Sequence, residues 1–200
     1  MARELKHRIV AGKRMMAHLD NLATIGAPHR DWYAGARQTI ARHCELNGWD
    51  RDRFVAVMAV LSPRCSVKRN WDNTVAFMRY GMVLQGTMRG LVASLNHLLE
   101  TGEIRGPKTS AFARCLLGDE SALVLDVWMA KALGVPQAVV TRKDNMAAAY
   151  KLCGAIAKAR GWTMAQTQAA IWCGICIKSG VRPGTLENAV LSTAQVSFDF

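Results

Sequence analysis

The sequence lacks any uninterrupted apolar run of the roughly 18 to 20 residues that a membrane-spanning helix needs, although half of its composition is hydrophobic. That argues against an integral membrane protein. An export signal is missing too, since Met1-Ala2-Arg3-Glu4-Leu5-Lys6-His7-Arg8 is charged and no apolar stretch follows it. Six cysteines, at 44, 65, 115, 153, 173 and 176, form no even framework, and without an export signal they read as reduced thiols of a cytoplasmic protein. Five histidines, at 7, 18, 29, 43 and 97, give no ligand-spaced cluster on one helix face, so no protein metal site is expected. Acid is also scarce. Lys and Arg number 26 against 15 Asp and Glu, a formal charge of +11 and a pI near 9.8. The basic residues are spread through Arg3 to Arg14, Arg64 to Arg69, Arg105 to Arg114 and Arg142 to Arg160, as in a folded domain that binds a polyanion. Nucleic acid is the leading candidate; the bland alternative is that the charge serves only solubility.

What is present reads as helix after helix, with no convincing strand and no internal repeat. The apolar spacing and its punctuation predict helices over about Ala2–Leu22, Asp31–Leu46, Asp50–Leu61, Ser66–Tyr80, Met88–Thr101, Pro107–Leu117, Val127–Leu133, Asn145–Arg160 and Met164–Ser179. Asn47-Gly48-Trp49-Asp50 is a turn ending in a cap, Ser62-Pro63 stops a helix, and Gly161-Trp162-Thr163 joins the last two long ones. The fold class is therefore all-α. Residues 181–200 change character at Pro183-Gly184 and read as an extended tail folding back through Leu191, Val196 and Phe198, or as a disordered one.

Chemistry concentrates between Gly102 and Leu133. Gly106 and Pro107 form a turn and a first helical position, which puts Lys108 in the first turn of a helix ending before Gly118. Eighteen residues on, Asp126 stands where an N-cap belongs, ahead of Val127-Trp128-Met129. The positive end of a helix dipole disfavours an ammonium and favours a carboxylate, so Lys108 is expected to deprotonate more readily than a surface lysine and Asp126 to stay ionised. A neutral amine can attack a carbon with positive character while an aspartate stabilises that carbon as its leaving group departs. The reaction class this suggests is displacement at an acetal centre.

Gly106-Pro107-Lys108-Thr109, followed after eighteen residues by Leu125-Asp126, resembles the helix-hairpin-helix DNA glycosylases of the endonuclease III type. Upstream, Phe54 to Pro63 is similar to the helix ending in Leu-Ser that precedes the loop entering the DNA in that family, and Ala165 to Ile177 to the helix that completes the lobe. The chain also resembles a small phage and bacterial branch that excises hypermodified phage bases. The resemblance implies a two-lobed helical glycosylase fold over residues 1–180, with lobes of about 51–133 and of 1–50 plus 134–180. Lys108 and Asp126 then map onto the catalytic lysine and aspartate, and the partner is double-stranded DNA carrying a modified or damaged base, bound by a monomer.

DNA contacts are expected from the hairpin, Arg105, Gly106 and Thr109, whose helix start suits a phosphate, and from the loop residues Ser62, Arg64, Lys68, Arg69 and Asn70. That loop could also fill the gap left by an everted base; its bland alternative is a solvated connection with a basic rim. Trp32, Trp71 and Trp128 are candidates to stack on the base, or else ordinary core, while Trp49, Trp162 and Trp172 read as core or turn packing.

Departures from the pattern are informative. Ile104 replaces the first hairpin glycine, Trp128 stands where the family has histidine, and Cys173 with Cys176 are too few for the family's iron–sulfur cluster. No cluster is expected, although the hairpin carbonyls could hold a monovalent cation. If the Lys108 amine reaches C1′, the enzyme forms a Schiff base and cleaves the strand by β-elimination; if it points at a phosphate, water is the nucleophile. Two rival readings stay open: a non-catalytic DNA-binding protein in which Asp126 is only a cap and Lys108 only a phosphate clamp, and a helical scaffold. Within the glycosylase reading, a glucosylated hydroxymethylcytosine leads and oxidised pyrimidines are the alternative.

Overall fold

The computed structural model describes residues 7–196 and is all-helical, with no strand among them. The helices are α1 (Lys13–Gly26), α2 (Trp32–Asn47), α3 (Arg51–Leu61), α4 (Val67–Tyr80), α5 (Arg89–Thr101), α6 (Pro107–Leu117), α7 (Val127–Ala132), α8 (Gln137–Val140), α9 (Lys143–Arg160), α10 (Met164–Lys178) and α11 (Leu186–Val196); a 3-10 turn, Ala27–His29, follows α1. No helix among the described residues is long and apolar enough to cross a membrane. The chain divides into two compact units. The first combines the chain up to Tyr33 with Asp119–Pro183, and the second combines Ala34–Gly118 with the chain from Gly184 onward. These boundaries differ from the expected lobes, because Leu123 and Leu125 join the core of the first unit and the body of α2 belongs with α3.

The first unit is organised by α10, which is buried almost all round, from Ala165 through Thr167–Ile171 to Cys173–Cys176. A helix apolar on every side belongs at the centre of a core. Its start is fixed by a capping box, in which Thr163 Oγ1 accepts the Gln166 N–H at 3.1 Å and Gln166 Oε1 accepts the Thr163 N–H at 3.0 Å. Helix α10 lies directly against α1 because two glycines remove the side chains between them. A Cβ on Gly174 would stand 2.0 Å from the Leu22 carbonyl oxygen, and one on Gly26 would stand 1.9 Å from that of Ala170. Backbone cannot swing aside as a side chain can. Gly174→Ala is therefore expected to lower the unfolding free energy by about 3 kcal/mol or more in a urea titration. Gly154→Ala in α9, where the nearest atom is the flexible end of Met164 at 3.5 Å, should lose nothing.

The predicted first helix is corrected at its start. Residues 7–12 are not helical and α1 begins at Lys13; the expected portion before residue 7 lies outside the described residues. Asn145 explains the extended segment: buried in α9, it accepts the Ile9 N–H at 2.9 Å and donates to the carbonyls of His7 at 2.8 Å and Val139 at 2.9 Å. One amide thus satisfies backbone groups that a helix would have paired internally. Helix α8 was not anticipated.

The second unit is organised by α3, in which Phe54, Val55 and Val57–Leu61 are all buried. Leu91, Leu95 and Leu98 of α5 recur at helical spacing and pack on Val57, Val60, Leu61 and Phe77. Asp50 caps α3 by accepting the Arg53 N–H at 2.7 Å, and Ser66 caps α4 by accepting that of Arg69 at 3.2 Å. The C-terminal expectation is corrected here: Leu186–Val196 form helix α11 rather than an extended tail. Leu186 and Ala189 are buried and α11 packs on α4, whereas Leu191 is 65% exposed and does not fold back. The hydroxyl-rich composition misleads because Ser192 Oγ returns to the Asn188 carbonyl at 2.8 Å, inside the helix. Phe198 and the side chain of Val196 lie outside what the structure describes.

Candidate functional site

In the second unit, α5 ends at Gly102 in the left-handed conformation, φ 75°, and α6 begins at Pro107 after Gly106, whose φ of 90° and ψ of 139° suit only glycine. The turn between them is held from the helix side. Thr109 Oγ1 donates to the carbonyls of Gly106, at 3.0 Å, and Arg105, and Ser110 Oγ donates to that of Ile104 at 3.1 Å. Arg105, Gly106 and Pro107 are exposed, and no side chain caps the first turn of α6. An uncapped, exposed helix start with an arginine beside it is suited to an oxyanion.

Lys108, on that first turn, points its amine at Ser62, the last residue before the loop to α4. Its Nζ donates to Ser62 Oγ and stands 5.2 Å from the centre of the Phe112 ring. Ser62 Oγ itself donates to the Ala59 carbonyl at 2.8 Å, so its oxygen acts as the acceptor for Lys108. Two residues on, Arg64 is exposed and adopts φ 55°, the one positive value outside glycine among the described residues. Burial pushes the Cys65 thiol up, against the opposing pull of Arg69 and Lys108.

Lys68, Arg69 and Asn70, expected on the loop, lie instead on the first turn of α4. Lys68 is paired with Asp72 at 2.7 Å, and Arg69 donates to the Gln85 carbonyl, tying the start of α4 to the turn that precedes α5. Asn73 anchors the same turn, accepting from Leu84 N and Thr87 Oγ1, both at 3.0 Å. Asn70 is 5% exposed, with an Oδ1 that meets no donor, and Thr109 is buried with its hydroxyl turned inward. The Asn70 side chain does not face outward as a DNA contact would require, whereas the expectation for Thr109 concerns its backbone N–H at the start of α6 and not this hydroxyl.

Trp71 is a clear correction. It is 1% exposed, and its ring lies 4.9 Å from that of His43 and 5.4 Å from that of Phe54, with Trp49 beyond them, so it is core and not a base platform. The apolar face of α4 repeats through Trp71, Thr74 and Phe77 and turns the indole inward. His43 shares this cluster; burial and, next, the charge of Arg79 hold it below its ordinary value of 6.5. The unfolded chain takes up a proton near that pH while the folded chain resists it. The stability contributed above pH 6.5 is therefore lost as pH falls through the lowered value. Urea midpoints should drop between pH 7.5 and pH 5, and His43→Phe should flatten that drop.

In the first unit, Asp126 closes the buried run Ala122–Leu125 and caps α7. Its Oδ1 accepts the Met129 N–H at 2.8 Å and its Oδ2 accepts the Trp172 indole N–H at 3.1 Å. Trp172 stands edge-on to Trp32, with centroids 5.9 Å apart, and Trp32 edge-on to Tyr33 at 5.1 Å; the Tyr33 hydroxyl donates to Gln168 Oε1 at 2.8 Å. Trp128, half-buried on the unit's core, lies under Lys131, whose Nζ donates to Ser179 Oγ at 2.8 Å. Burial and the Asp126 charge push the Cys176 thiol up to about 12, and burial with Cys176 does the same for Cys173. The Cys176 thiol thus stays protonated and adds no second negative charge near the carboxylate.

Of the residues singled out by sequence, the second unit thus brings together Lys108, Ser62 and the loop of Arg64, and it carries the hairpin. The first unit places Trp32 one aromatic ring away from Asp126. Lys108 belongs to one unit and Asp126 to the other. Trp172, read from sequence as packing, is the site residue that was missed; its signal was an indole N–H in an apolar helix, which needs an acceptor. A groove of about 680 Å³ on the first unit, between α1 and α9, contains none of these residues. Among the described residues no three His, Cys, Asp or Glu side chains gather where they could hold a metal ion. No curated protein and no solved structure matches the chain. Residues 21–179 match a family of unknown function, DUF7178, and because that span covers well over half of the sequence, the chain belongs to this family.

Proposed function

We propose that this protein is a DNA glycosylase of the helix-hairpin-helix type that everts a modified base and cleaves its N-glycosidic bond. The observation that carries the reading is Asp126, because both of its oxygens accept from fixed donors, whereas an aspartate serving only as a cap needs one. In the proposed reaction the glycosidic electron pair leaves with the base, and C1′ becomes oxocarbenium-like. The ionised Asp126 stabilises that charge. The Lys108 amine then bonds to C1′, its proton goes to the ring oxygen O4′ as the C1′–O4′ bond breaks to leave a Schiff base, and loss of a C2′ proton expels the 3′ phosphate oxygen with its bonding pair by β-elimination.

The rest of the second unit supplies DNA contacts. The exposed start of α6 with Arg105 takes a backbone phosphate, and Arg64, presented at a left-handed position of a short loop, reaches into the space left by the everted nucleotide. A chain of formal charge +11 binds DNA with strong salt dependence. The substrate class is a modified pyrimidine, with a bulky hypermodified phage base ahead of an oxidised one. The test is incubation of the full chain with hypermodified phage DNA, unmodified DNA and duplexes containing oxidised pyrimidines, with mass spectrometry of released bases. Release from one of the modified substrates supports the proposal. Binding without release from any of them favours a non-catalytic protein in which Asp126 only caps a helix.

A further inference from the structure

We infer that Trp172 is a positioning residue for Asp126, holding the carboxylate in one orientation through its indole N–H. The kinetic part of this inference rests on the glycosylase reading; the structural part does not. An aspartate has a broad, roughly two-fold energy profile about its terminal torsion, so the single bond from Met129 N–H to Oδ1 leaves the outer oxygen poorly defined. A second donor on Oδ2, here 3.1 Å away, removes that freedom.

The donor is itself well anchored. Trp172 projects from α10, the buried central helix of its unit, whose backbone lies against α1 at Gly174 and Gly26, and its ring is met edge-on by Trp32. An indole N–H donates and cannot accept, so it favours the ionised carboxylate and cannot take its proton. Cys176 stays a neutral thiol, and the Lys131 amine is engaged with Ser179 and the face of Trp128. A preorganised charge is worth more to a developing cation than one that must reorient during the reaction.

Trp172→Phe keeps a ring against Trp32 and removes only the donor. Base release should then lose about ten- to a hundredfold in kcat, the range for a hydrogen bond to a charged group, with KM within about twofold. The Met129 amide, which shares the carboxylate, should exchange its hydrogen several-fold faster. An unchanged kcat in an active enzyme, or unchanged Met129 protection, overturns the inference. Should the wild-type protein release no base from any DNA, the glycosylase reading fails by itself, and Met129 exchange alone decides whether Trp172 positions the carboxylate. Should Trp172→Phe not fold, the Trp172 indole N–H resonance is compared between wild type and Asp126→Ser, which keeps a capping hydroxyl too short to reach the ring. An upfield move supports the inference, and an unchanged resonance overturns it.

Discussion

Asp126→Asn should cut single-turnover base release by about 10²- to 10³-fold, as loss of a preorganised electrostatic group does elsewhere, while the affinity for substrate DNA at fixed salt stays within about threefold. The substitution removes the charge and keeps the cap. Asparagine is as good an N-cap as aspartate, so an amide oxygen can still accept the Met129 N–H and α7 keeps its first turn. What disappears is the negative charge that would face an oxocarbenium-like sugar, together with the acceptor of the Trp172 indole N–H, which then faces an amide NH2. A protein in which Asp126 serves only as a cap would show no change in either assay. Release measured on a quenched time course and binding measured by fluorescence anisotropy on the same duplex separate the two readings, and a loss of both together would point to a folding defect visible in the far-ultraviolet spectrum.

Local signals in the sequence set most of the helix boundaries, because they act through nearest neighbours. Gly81, Gly102, Gly118 and Gly161 each end a helix in the left-handed conformation, Asp50, Ser66 and Thr163 each start one, and α6 spans the residues read from Pro107 and Gly118. Signals that depend on a distant partner were not legible. Trp71 and Trp172 are the same residue type on amphipathic or apolar helices. One is enclosed by His43 and Phe54 while the other finds a carboxylate 46 positions away in sequence. Nothing local distinguishes them. The eighteen-residue interval between Lys108 and Asp126 likewise concealed that the chain passes from one unit to the other at Gly118 and Asp119. Helix α11 escaped because the apolar residues it buries, among those whose side chains are described, are Leu186 and Ala189, too short a repeat to stand out in the sequence among Ser192, Thr193 and Ser197.

Lys108→Gln should abolish borohydride trapping of the protein on substrate DNA and, with it, strand cleavage, and base release should fall by at least about a hundredfold. Ser62 Oγ sends its own proton to the Ala59 carbonyl and accepts from Lys108, a bond that a neutral or a charged amine can make, so this contact fits either role of the lysine. A lysine that clamps a phosphate would, when lost, weaken DNA binding roughly in proportion to one charge. The two roles therefore predict different columns of the same experiment. A nucleophile loses trapping and turnover at unchanged affinity, whereas a clamp loses affinity and reduces the salt slope by about one. If Lys108→Gln still releases base at the wild-type rate while trapping vanishes, water attacks C1′ and the amine acts only after the base has gone. That result would preserve Asp126 as the group on which base excision depends and assign Lys108 to the later strand-cleaving step alone.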